Sequence, residues 1–275
     1  MAKYILSAVA VIGFLSSPSH AKEPIKLCHV ANAGFLAEVS NSAIVVDAVL
    51  QRDDYDGTFA LPSETTLTSL QQGTGSFTNV KVALVTHIHG DHFDAAASLQ
   101  HLRADKKVEY IVPPEALQLF KDAGLTEDNS KRIHAVLPDW EEGPKKIAAN
   151  GIEIEVFRID HGPQMPQNLG YKINLSGRTV FHTGDVNASA EQLENAGLNK
   201  NPVDLMLMPF WNILQQKETI ETAWTIGTMV PMHYHAKAQP WMEQFGGPLG
   251  LRAATEVLWA GSARVDQEMQ CNTFE

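Results

Sequence analysis

Val85-Thr86-His87-Ile88-His89-Gly90-Asp91-His92-Phe93-Asp94 sets three imidazoles and a carboxylate, those of His87, His89, Asp91 and His92, close together in the chain. The preceding run, Val80-Lys81-Val82-Ala83-Leu84-Val85, alternates and is rich in β-branched residues, which predicts a strand buried on at least one face. The tetrad therefore sits where a strand ends, the place at which α/β folds carry chemistry. Residues two apart in extended backbone point to the same side, so His87 and His89 can aim at one cation about 2.0–2.1 Å from each ligating nitrogen. Gly90 lets the chain turn sharply, and the consecutive Asp91 and His92 project in another direction, toward a second cation beside the first. The bland alternative is a polar loop that happens to hold three histidines. H-x-H alone arises by chance on many surface strands; H-x-H-x-D-H after an apolar strand is far rarer.

H-x-H-x-D-H resembles the signature of the metallo-β-lactamase superfamily, and the remaining marks of that family follow in order. Ile152-Glu153-Ile154-Glu155-Val156 alternates as a half-exposed strand and runs into Asp160-His161-Gly162, where His161 resembles the last imidazole on the first metal. Arg178-Thr179-Val180-Phe181-His182 reads as a strand ending in Thr183-Gly184-Asp185, and Asp185 resembles the carboxylate that bridges both metals. Val230-Pro231-Met232-His233 resembles the closing strand whose histidine completes the second metal. Upstream, His29 to Leu36 and Ile44-Val45-Val46-Asp47 look like the family's opening strands, with Ala48 where relatives often carry proline. The resemblance implies an αββα sandwich of the metallo-β-lactamase type with the metals at one edge. It implies seven metal ligands, His87, His89, Asp91, His92, His161, Asp185 and His233, with Asp91 and Asp185 as the catalytic carboxylates.

With 275 residues and 44% hydrophobic content the chain can bury a sizeable core, and no linker divides it. Lys3, an apolar stretch from Tyr4 to Leu15 too short for the roughly 20 residues of a membrane span, and Ser19-His20-Ala21 together read as a signal peptide over 1–21. The expectation is cleavage before Lys22, a metallo-hydrolase domain over 22–275, a periplasmic or secreted location and no stable membrane insertion afterwards; a short uncleaved anchor is the alternative. The remainder carries 20 basic against 32 acidic residues, a net charge of −12, which argues against nucleic acid and for a small-molecule substrate. Cys28 and Cys271 could pair in an oxidising compartment or stay as two buried thiols; neither is expected as a ligand.

Helices are predicted over Asp94 to Leu102, Pro114 to Ala123, Ser189 to Ala196 and Pro248 to Ala260, and strands over Val108 to Val112 and Val203 to Met208. Ser63 to Gln71 reads as a helix capped by Ser63, and Asp53 to Gly57 as a polar loop, a solvated connection with a loop near the site mouth as the alternative. An all-nitrogen and oxygen ligand set suits two Zn²⁺, with Mn²⁺ or Fe²⁺ as alternatives. Two cations roughly 3.5–4 Å apart can share one water and lower its pKa from about 15.7 toward 7, so a bridging hydroxide is the expected nucleophile on an ester, lactone, thioester or phosphodiester. A non-catalytic periplasmic metal-binding protein and a di-iron oxidoreductase of the same fold are the alternatives; di-iron relatives usually carry glutamate at the place of His89. His182 and His235 could support the ligands or line the pocket, Trp211 could line an apolar pocket or belong to the core, and His29, His101 and His134 read as structural.

Overall fold

The structure, a computed structural model, describes residues 22–140, 142–189, 191–192 and 202–275. The proposed signal peptide and most of the helix expected from Ser189 to Ala196 lie outside the described residues.

Short β-branched runs form two sheets. The first holds β1 (Ile25–Ala31), β2 (Gly34–Val39), β3 (Ser42–Val46), β4 (Val80–Leu84), β5 (Glu109–Val112), β6 (Ile133–Ala135) and β13 (Cys271–Phe274), in the order β13-β1-β2-β3-β4-β5-β6. The second holds β7 (Lys145–Ala149), β8 (Ile152–Arg158), β9 (Leu169–Leu175), β10 (Arg178–His182), β11 (Val203–Pro209) and β12 (Ile226–Met232), in the order β12-β11-β10-β9-β8-β7. Strands β3 to β6 run parallel to one another, as do β10 to β12, and the hairpins at the far side of each sheet are antiparallel.

Strand alternation explains the layering. Phe35, Ile44, Val46, Val82 and Leu84 of the first sheet face Ile154, Val156, Tyr171, Ile173, Leu205 and Leu207 of the second, making one core between the sheets. Their neighbours Leu36, Val45, Ala83 and Val85 turn the other way, against Leu67 and Leu70 of α1 (Glu64–Gln72), Leu99 and Leu102 of α2 (Ala95–Ala104) and Phe120 of α3 (Pro114–Asp122). On the outer face of the second sheet, Phe181, Met206 and Met208 pack on Ile213 and Ile220 of α5 (Phe210–Ala223), which follows the short α4 (Glu127–Ser130) in the chain; α6 (Gly247–Leu258) packs beside α5. The four layers are helix, sheet, sheet, helix, as expected.

Helix starts follow their caps. The Ser63 side chain accepts from Thr66 N, and the Asp94 carboxylate accepts from Ala96 N and Ala97 N, which fixes the direction in which the tetrad loop enters α2. His101, buried on α2, lies 2.7 Å from the Tyr110 hydroxyl and is a packing residue. Among the described residues no helix is long and apolar enough to cross a membrane.

Cys28 and Cys271 settle the open choice between pairing and free thiols. They stand opposite each other in the β1–β13 ladder and form a disulfide across a sequence separation of 243. It ties the terminal strand to the sheet edge and closes nearly the whole described chain into one loop. Chain-entropy arguments put the stabilisation from so long a loop at about 5 kcal/mol. A Cys28→Ala/Cys271→Ala double variant is expected to lose about 2–5 kcal/mol in denaturant unfolding relative to the oxidised protein; equal midpoints would show that the cross-link does not constrain the unfolded chain.

Candidate metal centre

The candidate ligands converge because five strands end at the same edge. The tetrad follows β4, His161 follows β8, Asp185 follows β10, His233 follows β12, and Asp47 follows β3. After Leu84 the backbone leaves the ladder, and His92 N and Phe93 N both donate to His89 O at 3.0 and 2.9 Å, closing the turn that separates the first histidine pair from Asp91 and His92. Gly90 differs from expectation in its reason. Its backbone is not left-handed; a Cβ there would run into the Asp54 carboxylate instead. Gly184 combines both constraints, with φ +58° and a Cβ that would strike the Asn168 side chain.

All seven predicted ligands come together, in two groups. His87, His89, His161 and Asp185 present one ligand atom each within 4.8 Å of one another, and so do Asp91, His92 and His233. In the first group His89 Nδ1 lies 3.0 Å from His87 Nε2 and 3.3 Å from His161 Nε2. In the second, His233 Nε2 lies 2.9 Å from His92 Nε2 and 3.1 Å from Asp91 Oδ2. The Asp185 carboxylate stands between them, with Oδ2 3.8 Å from His87 Nε2 and 3.3 Å from His233 Nε2, and Oδ1 3.2 Å from His92 Nε2. Four ligands at 2.0–2.1 Å around a tetrahedral ion lie about 3.3 Å apart, so these separations fit a dinuclear metal site.

Donor bookkeeping supports the fit. Asp47 accepts from Thr86 N at 2.8 Å, from Thr86 Oγ1 at 2.6 Å and from His92 Nδ1 at 2.8 Å. Thr86 gives its one hydroxyl proton to Asp47, so in its 3.0 Å contact with His87 Nδ1 the ring is the donor. Nε2 of His87 and of His92 then face the centre, the arrangement that metal-bound imidazoles adopt. Burial, reinforced by the charge of His92, holds His87 well below the usual histidine range, and burial likewise lowers His89 and His161, so this trio offers neutral lone pairs. Burial also opposes protonation of His92 and His233, but in both it is outweighed, chiefly by Asp185, so that His92 is raised well above its ordinary value and His233 to about 9. The same imidazoles overcome burial to hold the Asp185 carboxyl well below the carboxylate range.

Several roles left open by sequence are decided. His182 is a packed strut: Gly184 N donates to its Nδ1 and its Nε2 donates to Ala33 O, which leaves no lone pair for a cation. β12 stops at Met232, and His233 has φ +66°, so His233 and His235 do not share a side as strand alternation predicts. His233 joins the cluster; His235 turns away into contact with Phe59 and Trp241. Trp211 borders the site, its ring 4.9 Å from His233 and its indole N–H on Val186 O. The segment read as a solvated connection, 53–57, is exposed throughout, and it also touches the tetrad loop through Asp54 and Tyr55, while Phe59 just beyond it packs 4.9 Å from His233.

Sequence reasoning missed Asn32. In the β1–β2 turn at φ 39°, its Nδ2 donates to Asp91 Oδ2 at 3.0 Å and to Asp91 O at 3.2 Å, anchoring the one tetrad carboxylate. The left-handed turn was the available signal, but nothing in the local sequence points toward residue 91. Asn32→Gly, which keeps the turn and removes the amide, is expected to weaken metal retention roughly tenfold or more in chelator competition; unchanged retention would reduce Asn32 to a turn former.

Comparison with known proteins agrees with this geometry. Residues 43–246 match the family described as a beta-lactamase superfamily domain. A UPF0173 metal-dependent hydrolase of Pyrococcus abyssi is 25% identical over 198 residues, covering 67% of this chain and 81% of that protein. Among solved structures, Igni18, a metallo hydrolase from Ignicoccus hospitalis, is similar with a TM-score of 0.59 at 19% identity, covering 92% of this chain and 99% of that one. CmlA, a diiron beta-hydroxylase from Streptomyces venezuelae, shares the fold with a TM-score of 0.55 at 16% identity, over 93% of this chain and 54% of its own. The family match spans most of the chain and takes in all seven clustered side chains, and the protein belongs to the metallo-β-lactamase superfamily.

Proposed function

We propose that the chain is an exported, zinc-dependent dinuclear hydrolase that cleaves an ester, lactone, thioester or phosphodiester bond of a small molecule. The observation that carries the reading is the Asp185 carboxylate, in reach of both imidazole groups at once. Export is supported by the segment 1–21 and by the Cys28–Cys271 disulfide, which suits an oxidising compartment. The nitrogen and oxygen donors suit Zn²⁺, with Mn²⁺ or Fe²⁺ as alternatives.

Bound there, two cations supply an acidified water as nucleophile and Lewis-acid stabilisation of the substrate oxygen. The chain's own residues do the rest. His87, His89 and His161 with Asp185 would hold one ion, and Asp91, His92 and His233 with Asp185 the other. Asp47 fixes the His92 ring, Thr86 that of His87, and Asn32 the Asp91 carboxylate, so the ligands need little rearrangement. Asp185 is steadied by a hydrogen bond from its own N–H to Asn168 Oδ1 at 3.2 Å. Asp91 and Asp185 are the carboxylates assigned to the chemistry, and both lie beside His233, at 3.1 and 3.3 Å from its Nε2. A di-iron oxidation on the same fold is disfavoured by His89, an imidazole where such relatives carry glutamate.

Elemental analysis of folded protein is expected to find about two metal ions per chain, and a panel of esters, lactones, thioesters and phosphodiesters to reveal turnover. Two ions with no turnover on any member would leave a metal-binding protein. Asp185→Ala should lose metal affinity and rate together; full activity in that variant would reject the bridging role. His233→Ala should bring the count toward one, whereas His235→Ala should keep both ions, and the reverse pattern would transfer the ligand role to His235.

A further inference from the structure

Aromatic rings pack around the buried His233. Phe59 and Trp211 each pack edge-on to the His233 imidazole, both at 4.9 Å between centroids. Phe59 also meets His235 at 5.0 Å and Tyr55 at 5.1 Å, and His235 meets Trp241 at 5.5 Å, so the rings continue outward from the cluster to the surface. Trp241 is stacked on Phe210 at 5.9 Å with an interplanar angle of 11°, which holds it in place although it is 40% exposed. Tyr55, 37% exposed, reaches back to the tetrad loop through the backbone of Gly90 and lies within electrostatic range of Asp91. Two large aromatic side chains left open to solvent on the rim of a polar cluster mark a binding surface rather than core. Trp211 presents only its apolar face, because its indole N–H is taken by Val186 O.

The charge around this wall is cancelled. Arg52 is paired with Asp54 at 2.7 Å, and Lys237 with Asp56, so the two basic side chains flanking the wall are neutralised by the loop that carries Tyr55. Those pairs also anchor the wall: Ala236 N donates to Thr58 O at 2.8 Å, joining the segment of Phe59 to that of His235. An anionic group approaching from this side meets no unpaired cation among the described residues of the wall, and a chain of net charge −11 repels it further. A neutral aromatic or bulky apolar group meets stacking surface instead, and aromatic pairs add about 0.5–1.5 kcal/mol beyond burial of area.

We infer that the substrate is a neutral carbonyl compound, an ester, lactone or thioester, whose aromatic or bulky apolar group lies against Phe59, Trp211 and Trp241 while its carbonyl faces the metal groups. Phe59 and Trp241 are specificity-determining residues in this assignment, which selects among the bond classes proposed above and rests on that hydrolase reading.

The test uses the full metal-loaded chain with methyl phenylacetate and methyl acetate, which share a leaving group and differ in the aromatic ring, and with bis(4-nitrophenyl) phosphate as an anionic diester. The expected result is a kcat/KM at least tenfold higher for methyl phenylacetate than for methyl acetate, with that preference reduced about tenfold in Phe59→Ala/Trp241→Ala. Val257→Ala, 83% exposed on α6 and not among the ring contacts of the wall, should keep the preference, and circular dichroism confirms folding of each variant. A preference that survives the double substitution overturns the inference, as does turnover of the phosphodiester alone, which leaves the hydrolase reading standing. If none of the three is turned over, the hydrolase reading is what fails on this panel, and the wall is read separately by saturation-transfer NMR with acetophenone. Binding of acetophenone that is lost in the double variant supports the wall; binding that is absent in the parent or unchanged in the variant overturns it.

Discussion

One buried carboxylate organises the centre. Asp47, 2% exposed at the end of β3, accepts hydrogen bonds from Thr86 N, Thr86 Oγ1 and His92 Nδ1. A buried charge is tolerated only when it is hydrogen-bonded and paired, so the loop after β4 is held against β3 by the cost of leaving Asp47 unsatisfied. That loop is also stitched to the opposite sheet: Tyr171 Oη donates to Val85 O at 2.6 Å, and Leu169 N to Thr86 O at 2.9 Å. Ligands from the first sheet are thereby placed at a fixed distance from Asp185, His161 and His233, which the second sheet supplies. Stacking of the two sheets and assembly of the metal groups are one constraint.

The electrostatics divide the five clustered imidazoles by the same geometry. His87, His89 and His161 stand farther from the carboxylate oxygens, and there burial wins and the rings stay neutral. His92 and His233 lie against Asp91 and Asp185, and there the ion pairs win. These two imidazoles are shared among three buried carboxylates, Asp47, Asp91 and Asp185. A cation held at this side would displace their protons, which would couple metal uptake to proton release.

The rim obeys a different logic from the centre. Hydrogen bonds and charge fix the ligands, whereas the approach beside His233 is built from rings and from ion pairs that cancel their own charge. The same loop that crowds Gly90 with Asp54 brings Tyr55 and Phe59 to the site, so the approach surface and the tetrad turn are shaped together.

Through its resemblance to one superfamily, the sequence by itself determined the fold class and named the seven side chains that the fold brings together. Period-two strands announce themselves locally, and a strand-terminal H-x-H-x-D-H, followed in order by His161, Asp185 and His233, has few other readings. Helix boundaries at Ser63, Asp94 and Pro114 were legible for the same reason, since caps and fixed proline φ act within a few residues. What remained hidden were contacts between residues distant in the chain. Asn32 reaches Asp91 across 59 positions, Cys28 reaches Cys271 across 243, and the 53–59 segment meets His233 and His235 only after both sheets are stacked. Alternation put His233 and His235 on one side and only the family resemblance selected His233; the left-handed backbone angle at His233 is the physical reason that His235 stays out of the cluster. Local chemistry is written in local sequence, but which side chain faces the cluster depends on where the chain leaves the sheet, and that is decided by packing.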